Sequence, residues 1–123
     1  MPTSIRPSGK VLLSHVSEEV LEDFLREKGL PRRTANTITD PGSFRDHLKL
    51  VKDQGYAIDD EENEQGIRCL GAPIFDGKGR TLAAISVSGP VFQMTRKVVQ
   101  DVVKKEVIAA ASDISRRLGY QGR

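Results

Sequence analysis

The sequence predicts an α+β domain in which helices flank an antiparallel sheet. Helical periodicity occurs in two blocks, residues 9–54 and 95–118, and the strand-like segments lie between them in residues 56–88. Blocks of helix and blocks of strand joined by tight hairpins are typical of α+β folds. With 123 residues and 37% hydrophobic side chains, the chain can bury one core, which must be largely aliphatic because tryptophan is absent.

The first block begins with two predicted helices. Ser8 can cap a short helix over residues 9–15. Ser17 is placed to cap a second helix over residues 18–28, and Gly29 is placed to end it. The apolar stripe of this second helix comprises Val20, Leu21, Phe24 and Leu25.

A third helix follows a threonine-rich segment, residues 34–39, which we expect to be extended. Asp40 is a good N-cap, and Pro41 stands at the first helical position, where its missing N–H costs nothing. The helix is predicted to run to Gln54 and to end at Gly55. Its apolar positions at helical spacing are Phe44, Leu48 and Val51.

Three strands are predicted next, over residues 56–59, 67–75 and 81–88. The last two are joined by a hairpin turn at residues 76–80, where glycines can supply positive φ. Pro73 cannot donate a ladder hydrogen bond, so it indicates a sheet edge or a bulge.

A long helix over residues 95–118 completes the predicted fold, and Gly119 ends it. Its apolar face is predicted from three- and four-residue steps to comprise Val99, Val103, Val107, Ala110, Ile114 and Leu118.

Composition and charge narrow the class of protein. The net charge of +2 is nearly balanced, and the basic pairs such as Arg32-Arg33 are short, so we interpret them as solvated surface rather than a nucleic-acid footprint. One cysteine cannot form an internal disulfide, and no apolar run approaches the roughly 18 residues of a membrane span. We also find no signal peptide, and we expect a cytoplasmic protein without a membrane partner.

Four consecutive acidic residues, 59–62, follow the first strand. Carboxylates can bind a divalent cation, but the spacing of a calcium-binding loop is absent, so we predict no metal site. A solvated acidic turn is the default interpretation. Asp59 is the exception, because it closes a strand and can point inward as a hydrogen-bond acceptor.

Small polar side chains share one face of the predicted hairpin. Ser86 and Ser88 are two residues apart and therefore lie on the same side of their strand as Ala84, and Cys69 lies on the facing strand. Such a face can line a shallow ligand pocket, or it can be an ordinary polar face in water. Cys69 can equally be a core residue. These residues alone leave the function open between a small-ligand sensor and an interaction domain.

The same stretch resembles the C-terminal effector-binding domain of IclR-family transcriptional regulators of bacteria and archaea. The matching segments are Ser8-Gly9-Lys10-Val11-Leu12-Leu13, Gly55-Tyr56-Ala57, Asp59-Asp60-Glu61-Glu62, Gly66-Ile67-Arg68-Cys69-Leu70, Ala72-Pro73-Ile74-Phe75-Asp76 and Ala83-Ala84-Ile85-Ser86-Val87-Ser88-Gly89-Pro90. The resemblance covers residues 8–120, which leaves residues 1–7 as a loose lead-in and 121–123 as a tail.

The resemblance implies a GAF-like antiparallel sheet with a small-molecule pocket on one face. The family's ligand contacts fall on Asp59, Cys69, Ser86 and Ser88, and its effectors are often small carboxylates or aromatic acids. It implies no cofactor and no enzymatic activity. An enzyme using Cys69 as nucleophile is the least favoured hypothesis, because both histidines are far away in sequence.

The chain also departs from the family pattern. We expect a chain without the helix-turn-helix through which such regulators bind DNA, truncated at the N-terminal side of the effector domain. Missing strands would leave a sheet edge that invites pairing, so we expect a homo-oligomer. An oligomerisation or interaction module that has lost ligand binding is therefore the alternative function.

Overall fold

The computed structural model describes residues 7–122, with side chains from residue 9 onward, and its elements follow the predicted order. They are α1 (Pro7–Leu13), α2 (Glu18–Lys28), α3 (Pro41–Gln54), β1 (Ala57–Asp60), β2 (Ile67–Phe75), β3 (Thr81–Pro90), α4 (Arg96–Val98), a π-helical stretch (Val99–Val103) and α5 (Lys104–Arg117). Over these residues, no helix combines the length and the apolar character that crossing a bilayer requires.

Capping residues set the ends of α2 and α3 as predicted. The Ser17 side chain accepts a hydrogen bond from the backbone N–H of Val20, and the Asp40 carboxylate accepts one from that of Ser43. Gly55 ends α3 in the left-handed conformation, with φ of 85°. These local signals therefore decide both helices.

The prediction for α1 was wrong at both ends. The helix begins at Pro7 and ends at Leu13, so Ser8 lies within it and is not its cap. Proline is well tolerated in a first helical turn, which is why the helix can start before the serine. Residues 1–6 of the predicted lead-in and residue 123 of the predicted tail lie outside the described residues.

The segment of residues 34–39 is not the extended segment that was predicted. Residues 34–36 form a turn, in which the Thr37 hydroxyl accepts hydrogen bonds from the N–H groups of Arg33 and Thr34. Threonine hydroxyls often compete with regular structure in this way, so a Thr-rich segment can as readily form a turn as a strand.

The three strands form one antiparallel sheet in the order β1-β2-β3. β2 is the central strand, but β1 pairs with it only as far as Gly71. At Pro73, the side of β2 that faces β1 is therefore a sheet edge among the described strands. A register irregularity follows at Ile74/Phe75. The edge and the bulge predicted from Pro73 are both present.

The two faces of the sheet are covered by different helices. The π-helical stretch and α5 cover one face, where the buried cluster comprises Leu70, Ala72, Ile74, Met94, Val99, Val107 and Ala111. On the other face, Val11 of α1 and Val51 of α3 pack against Ala57 and Ala84. α2 packs on the outer side of α3 through Leu21, Phe44 and Leu48, with Leu13, Leu25, Leu30 and Ile38 around them.

The C-terminal helix buries a slightly different face from the one predicted. Val99 and Val107 are buried as expected, but the buried line continues through Ala111 and Ser115, and Leu118 is exposed. The buried positions continue in four-residue steps, whereas the prediction took a three-residue step to Ala110. On α2, Val20 belongs to the predicted apolar stripe, yet it is exposed.

Candidate ligand-binding site

A row of three residues crosses the sheet where the strands adjoin the acidic turn. Asp59 of β1 is paired with Cys69 of β2, which is paired with Ser88 of β3, so the three side chains share one face. They line a pocket of about 250 Å³. The pocket is completed by Arg33, Asn63, Glu64 and Ile67. Three of the four predicted site residues are thus brought together.

Ser86, the fourth predicted residue, lies on the same face one row away. It is paired with Gly71, which is paired with Ala57. Ser86 is exposed and does not line the pocket. Ser88 is exposed as well, so the pocket is open on the β3 side.

Asp59 is the buried polar group of the pocket. Its side chain is only 1% exposed, and Oδ1 accepts a hydrogen bond of 2.7 Å from the backbone N–H of Glu62. Oδ2 is buried without a hydrogen-bond partner among the described residues. Burial raises the pKa of this carboxyl above its ordinary value; the Glu62 charge raises it further, while backbone N–H bonds and Lys10 oppose the rise.

The acidic turn is not the solvated turn that was the default interpretation. Glu62 forms an ion pair with the Lys10 ammonium group, whose residue is 1% exposed, and Lys10 also donates to the carbonyl of Ile58 at 3.1 Å. Local sequence could not reveal this, because 52 residues separate the two partners. The pair ties α1 to the turn that borders the pocket.

Asp60 is bound by two arginines on the opposite face of the sheet. Arg68 lies 2.8 Å and Arg96 3.0 Å from its carboxylate oxygens. Burial raises the pKa of Asp60, but the hydrogen bonds from both arginines outweigh it and hold the pKa below its ordinary value. Because their charges are engaged by cations, neither Asp60 nor Glu62 is free to bind a metal ion.

Hydroxyl and amide side chains hold the turn from the other side. The Thr34 hydroxyl donates to the carbonyl of Glu61, the Thr37 hydroxyl to that of Glu62 at 2.5 Å, and the Asn36 amide to that of Asp60 at 2.9 Å. The loop between α2 and α3 therefore fixes the rim of the pocket and places Arg33 there.

Arg33 is the main site residue that sequence reasoning missed. It was interpreted as part of a solvated basic pair, and the guanidinium is indeed exposed, but it lines the pocket. It makes no ion pair with any residue that the structure describes. Together, this cation, the Ser88 hydroxyl and the Cys69 thiol can bind an anion, and Asp59 adds a buried carboxyl at one end.

A second pocket of about 130 Å³ lies at the other end of β2. It is largely apolar, and its lining includes His15, Pro73, Phe75 and Tyr120. The ring of Phe75 stacks on that of Tyr120, with 4.7 Å between the centroids, and contacts His15 edge-on at 5.5 Å. The residues that line the Asp59 pocket include no histidine, so the described structure brings neither His15 nor His47 to Cys69 there.

The family model for the C-terminal region of the bacterial transcriptional regulator IclR matches residues 2–116. The chain belongs to the IclR family. It is 42% identical over 107 residues to the HTH-type transcriptional regulator BhcR of Paracoccus denitrificans, covering 87% of this chain and 38% of that protein. It is 37% identical over 122 residues to the transcriptional repressor IclR of Escherichia coli, covering 99% of this chain and 43% of that protein.

Solved structures agree with this assignment. The inducer-binding domain of the PobR transcription factor from Acinetobacter, a double mutant in complex with 3-hydroxybenzoic acid, superposes with a TM-score of 0.88 at 29% identity. The match covers 94% of this chain and 68% of that one. The IclR-family chain thus has the fold of an effector-binding domain, and its relatives are transcriptional regulators rather than enzymes. It spans about two fifths of the length of the two regulators.

Proposed function

We propose that this IclR-family chain is a regulatory domain that senses a small carboxylate or an aromatic acid. The observation that carries the proposal is the row of Asp59, Cys69 and Ser88 in one pocket, with the Arg33 guanidinium at its rim. An anion bound there gains a charge-assisted hydrogen bond from the arginine and weaker ones from the hydroxyl and the thiol. The complex of the PobR domain with 3-hydroxybenzoic acid supports this class of ligand.

Ser86 is proposed as a contact for larger ligands. It lies on the same face as Ser88, two residues along β3, and both are exposed. A ligand that extends from the pocket along β3 would reach it. Ser86 should therefore matter less than Ser88 for the smallest acids.

The experiment is thermal unfolding of the chain with a panel of acetate, benzoate and 3-hydroxybenzoate, with benzamide as the uncharged control. A ligand at about 100 times its Kd stabilises the folded state by about 2.7 kcal/mol. For a domain of this size, that corresponds to a rise in Tm of roughly 5–15 °C. We expect an acid, and not benzamide, to give this shift.

Variants assign the shift to the pocket. Ser88→Ala should reduce it, and Ser86→Ala combined with Ser88→Ala should abolish it. Ser43→Ala, an exposed position in the first turn of α3, is the matched control and should leave it unchanged. Unchanged binding in the double variant would refute the assignment of the site, and no shift with any acid would refute the sensor function.

The remaining parts of the proposal concern partners. We propose a cytoplasmic homo-oligomer in which the outer edge of β3 meets a second copy. Among the described strands, this ten-residue strand pairs only with β2. Light scattering that found only monomer across the micromolar range would contradict it. We also propose that DNA is contacted only through a helix-turn-helix outside this chain, since the relative BhcR is named an HTH-type regulator and the match covers 38% of its length.

A further inference from the structure

The pocket contains a carboxyl that is poorly matched to an anionic ligand. Asp59 is almost completely buried, and only Oδ1 receives a hydrogen bond. Oδ2 is buried and has no partner in the described structure, and Asp59 lines the pocket that would hold the acid. A bound carboxylate placed against an ionised Asp59 would put two negative charges in contact.

The nearby cations do not neutralise Asp59. The Lys10 ammonium group of α1 is engaged by Glu62 and by the carbonyl of Ile58. Arg33, from the loop between α2 and α3, lies at the pocket rim and makes no ion pair with Asp59. Lys10 is therefore engaged in its ion pair with Glu62, and Arg33 lies at the rim, where it can bind the ligand.

The other titratable groups around the pocket add negative charge or none. Glu62 and Glu64 lie on the turn after β1, and Glu64 lines the pocket. On β2, Cys69 lines it too. His47 of α3 lies close enough to Lys10 to feel its charge; burial and that charge lower its pKa to about 4, so it is neutral above pH 5.

We propose that the pocket binds its acid together with a proton, which lies on Oδ2 of Asp59 and is donated in a hydrogen bond to the ligand carboxylate. This rests on the proposed function, and it defines the ligand more narrowly as an anion taken up with one proton from solvent. The proton removes the repulsion between the two carboxyl groups and gives the orphaned Oδ2 a partner. The raised pKa of Asp59 in the ligand-free chain is consistent with this.

Calorimetry on the chain tests the proposal with benzoate and 3-hydroxybenzoate as probes. Titrations at pH 7.2 in MOPS and in Tris, which differ in ionisation enthalpy, report the protons taken up per ligand. We expect between about 0.5 and 1 proton, and hence an affinity that falls by up to about tenfold per pH unit between pH 5.5 and 7.5. Both acids are ionised over this range, so the ligand does not supply the dependence.

Two variants locate the proton. In Asp59→Asn, the amide keeps an acceptor for the Glu62 N–H and provides a permanent donor in place of Oδ2, so we expect affinity that does not vary with pH. Glu64→Gln should retain the pH dependence of the unmodified chain. Loss of the dependence in Glu64→Gln, or its persistence in Asp59→Asn, would assign the proton elsewhere and overturn the proposal.

The outcome separates this inference from the function on which it rests. Binding of an acid without proton uptake would overturn the inference and leave the sensor function intact. No binding of either acid at any pH would overturn both.

Discussion

Replacing Lys10 with methionine should lower the free energy of unfolding strongly, because Lys10 binds two residues, Ile58 and Glu62, that are distant in sequence. Methionine retains most of the apolar stem and removes the charge. Glu62, whose side chain is 14% exposed, would lose its cation, and the carbonyl of Ile58 would lose a hydrogen bond. Among the described residues, the Glu62 carboxylate would keep one polar contact, a weak hydrogen bond of 3.3 Å from the backbone N–H of Asp60.

The size of the effect follows from the burial of the pair. Removing one partner of a buried ion pair costs about 3–5 kcal/mol, because the other charge stays buried without compensation. Glu62 keeps some contact with water, so we expect about 3 kcal/mol for Lys10→Met. The double variant Lys10→Met with Glu62→Gln removes both charges of this pair and should recover at least half of this loss.

Urea unfolding measures both variants. With a slope of about 1–3 kcal/mol per molar urea, a loss of 3 kcal/mol moves the midpoint by about 1–3 M. Lys49→Met, on the exposed side of α3, is the matched control and should change stability by less than about 0.5 kcal/mol. A loss below about 1 kcal/mol for Lys10→Met, or a double variant no more stable than the single one, would show that Glu62 does not depend on Lys10 for compensation of its charge.

Three further predictions concern buried polar groups. Because the folded chain holds the pKa of His47 at about 4 against an ordinary 6.5, the unfolded chain binds more protons between these values. Stability should therefore fall by up to about 3 kcal/mol as the pH drops through that window. Urea unfolding from pH 7 to 4 measures this loss of stability, which should be smaller in His47→Asn. The same pH dependence in that variant and in the unmodified chain would be evidence against a role for His47.

Arg68→Met should cost about 3 kcal/mol and Arg96→Met less than about 1 kcal/mol, because the first side chain is 8% exposed and the second 80%, although both bind one carboxylate. Equal losses in thermal unfolding would contradict this. Ser115→Ala should cost about 1–3 kcal/mol, because its buried hydroxyl accepts the N–H of Phe75 at 2.9 Å. A loss under about 0.5 kcal/mol would show that water replaces the Ser115 hydroxyl as the acceptor for the Phe75 N–H.

Much of the fold was predictable because its signals are local. Ser17 and Asp40 cap their helices through hydrogen bonds that reach only three residues along the chain. Residues 76–80 form the hairpin turn because Gly79 adopts the positive φ of 80° that the turn requires. Period-two alternation likewise placed Ser86 and Ser88 on the face that carries Cys69.

The groups that shape the pocket were less predictable, because their partners are distant in sequence. Lys10 and Arg68 are charged residues that any local pattern assigns to the surface, yet both are buried by partners on other elements. Arg33 reaches the pocket because side chains of its loop, namely Thr34, Asn36 and Thr37, hydrogen-bond to the acidic turn. Sequence periodicity carries no signal for contacts of this kind.

Backbone irregularity was the other feature that the sequence did not reveal. The π-helical stretch at Val99–Val103 interrupts a segment whose apolar spacing predicted an uninterrupted α-helix.

The burial of Ser115 was not predicted, for a different reason. A serine is not expected on a buried face, and its burial depends on the N–H of Phe75 and the carbonyl of Ala111.

We propose that a small acid binds over the row of Asp59, Cys69 and Ser88. The most direct test is a titration of the ¹⁵N-labelled chain with 3-hydroxybenzoate, followed by amide chemical shifts. We expect saturable changes concentrated at these residues and at the pocket rim around Asn63. Changes concentrated instead at the second pocket, around Phe75 and Tyr120, or no saturable change at all, would contradict it.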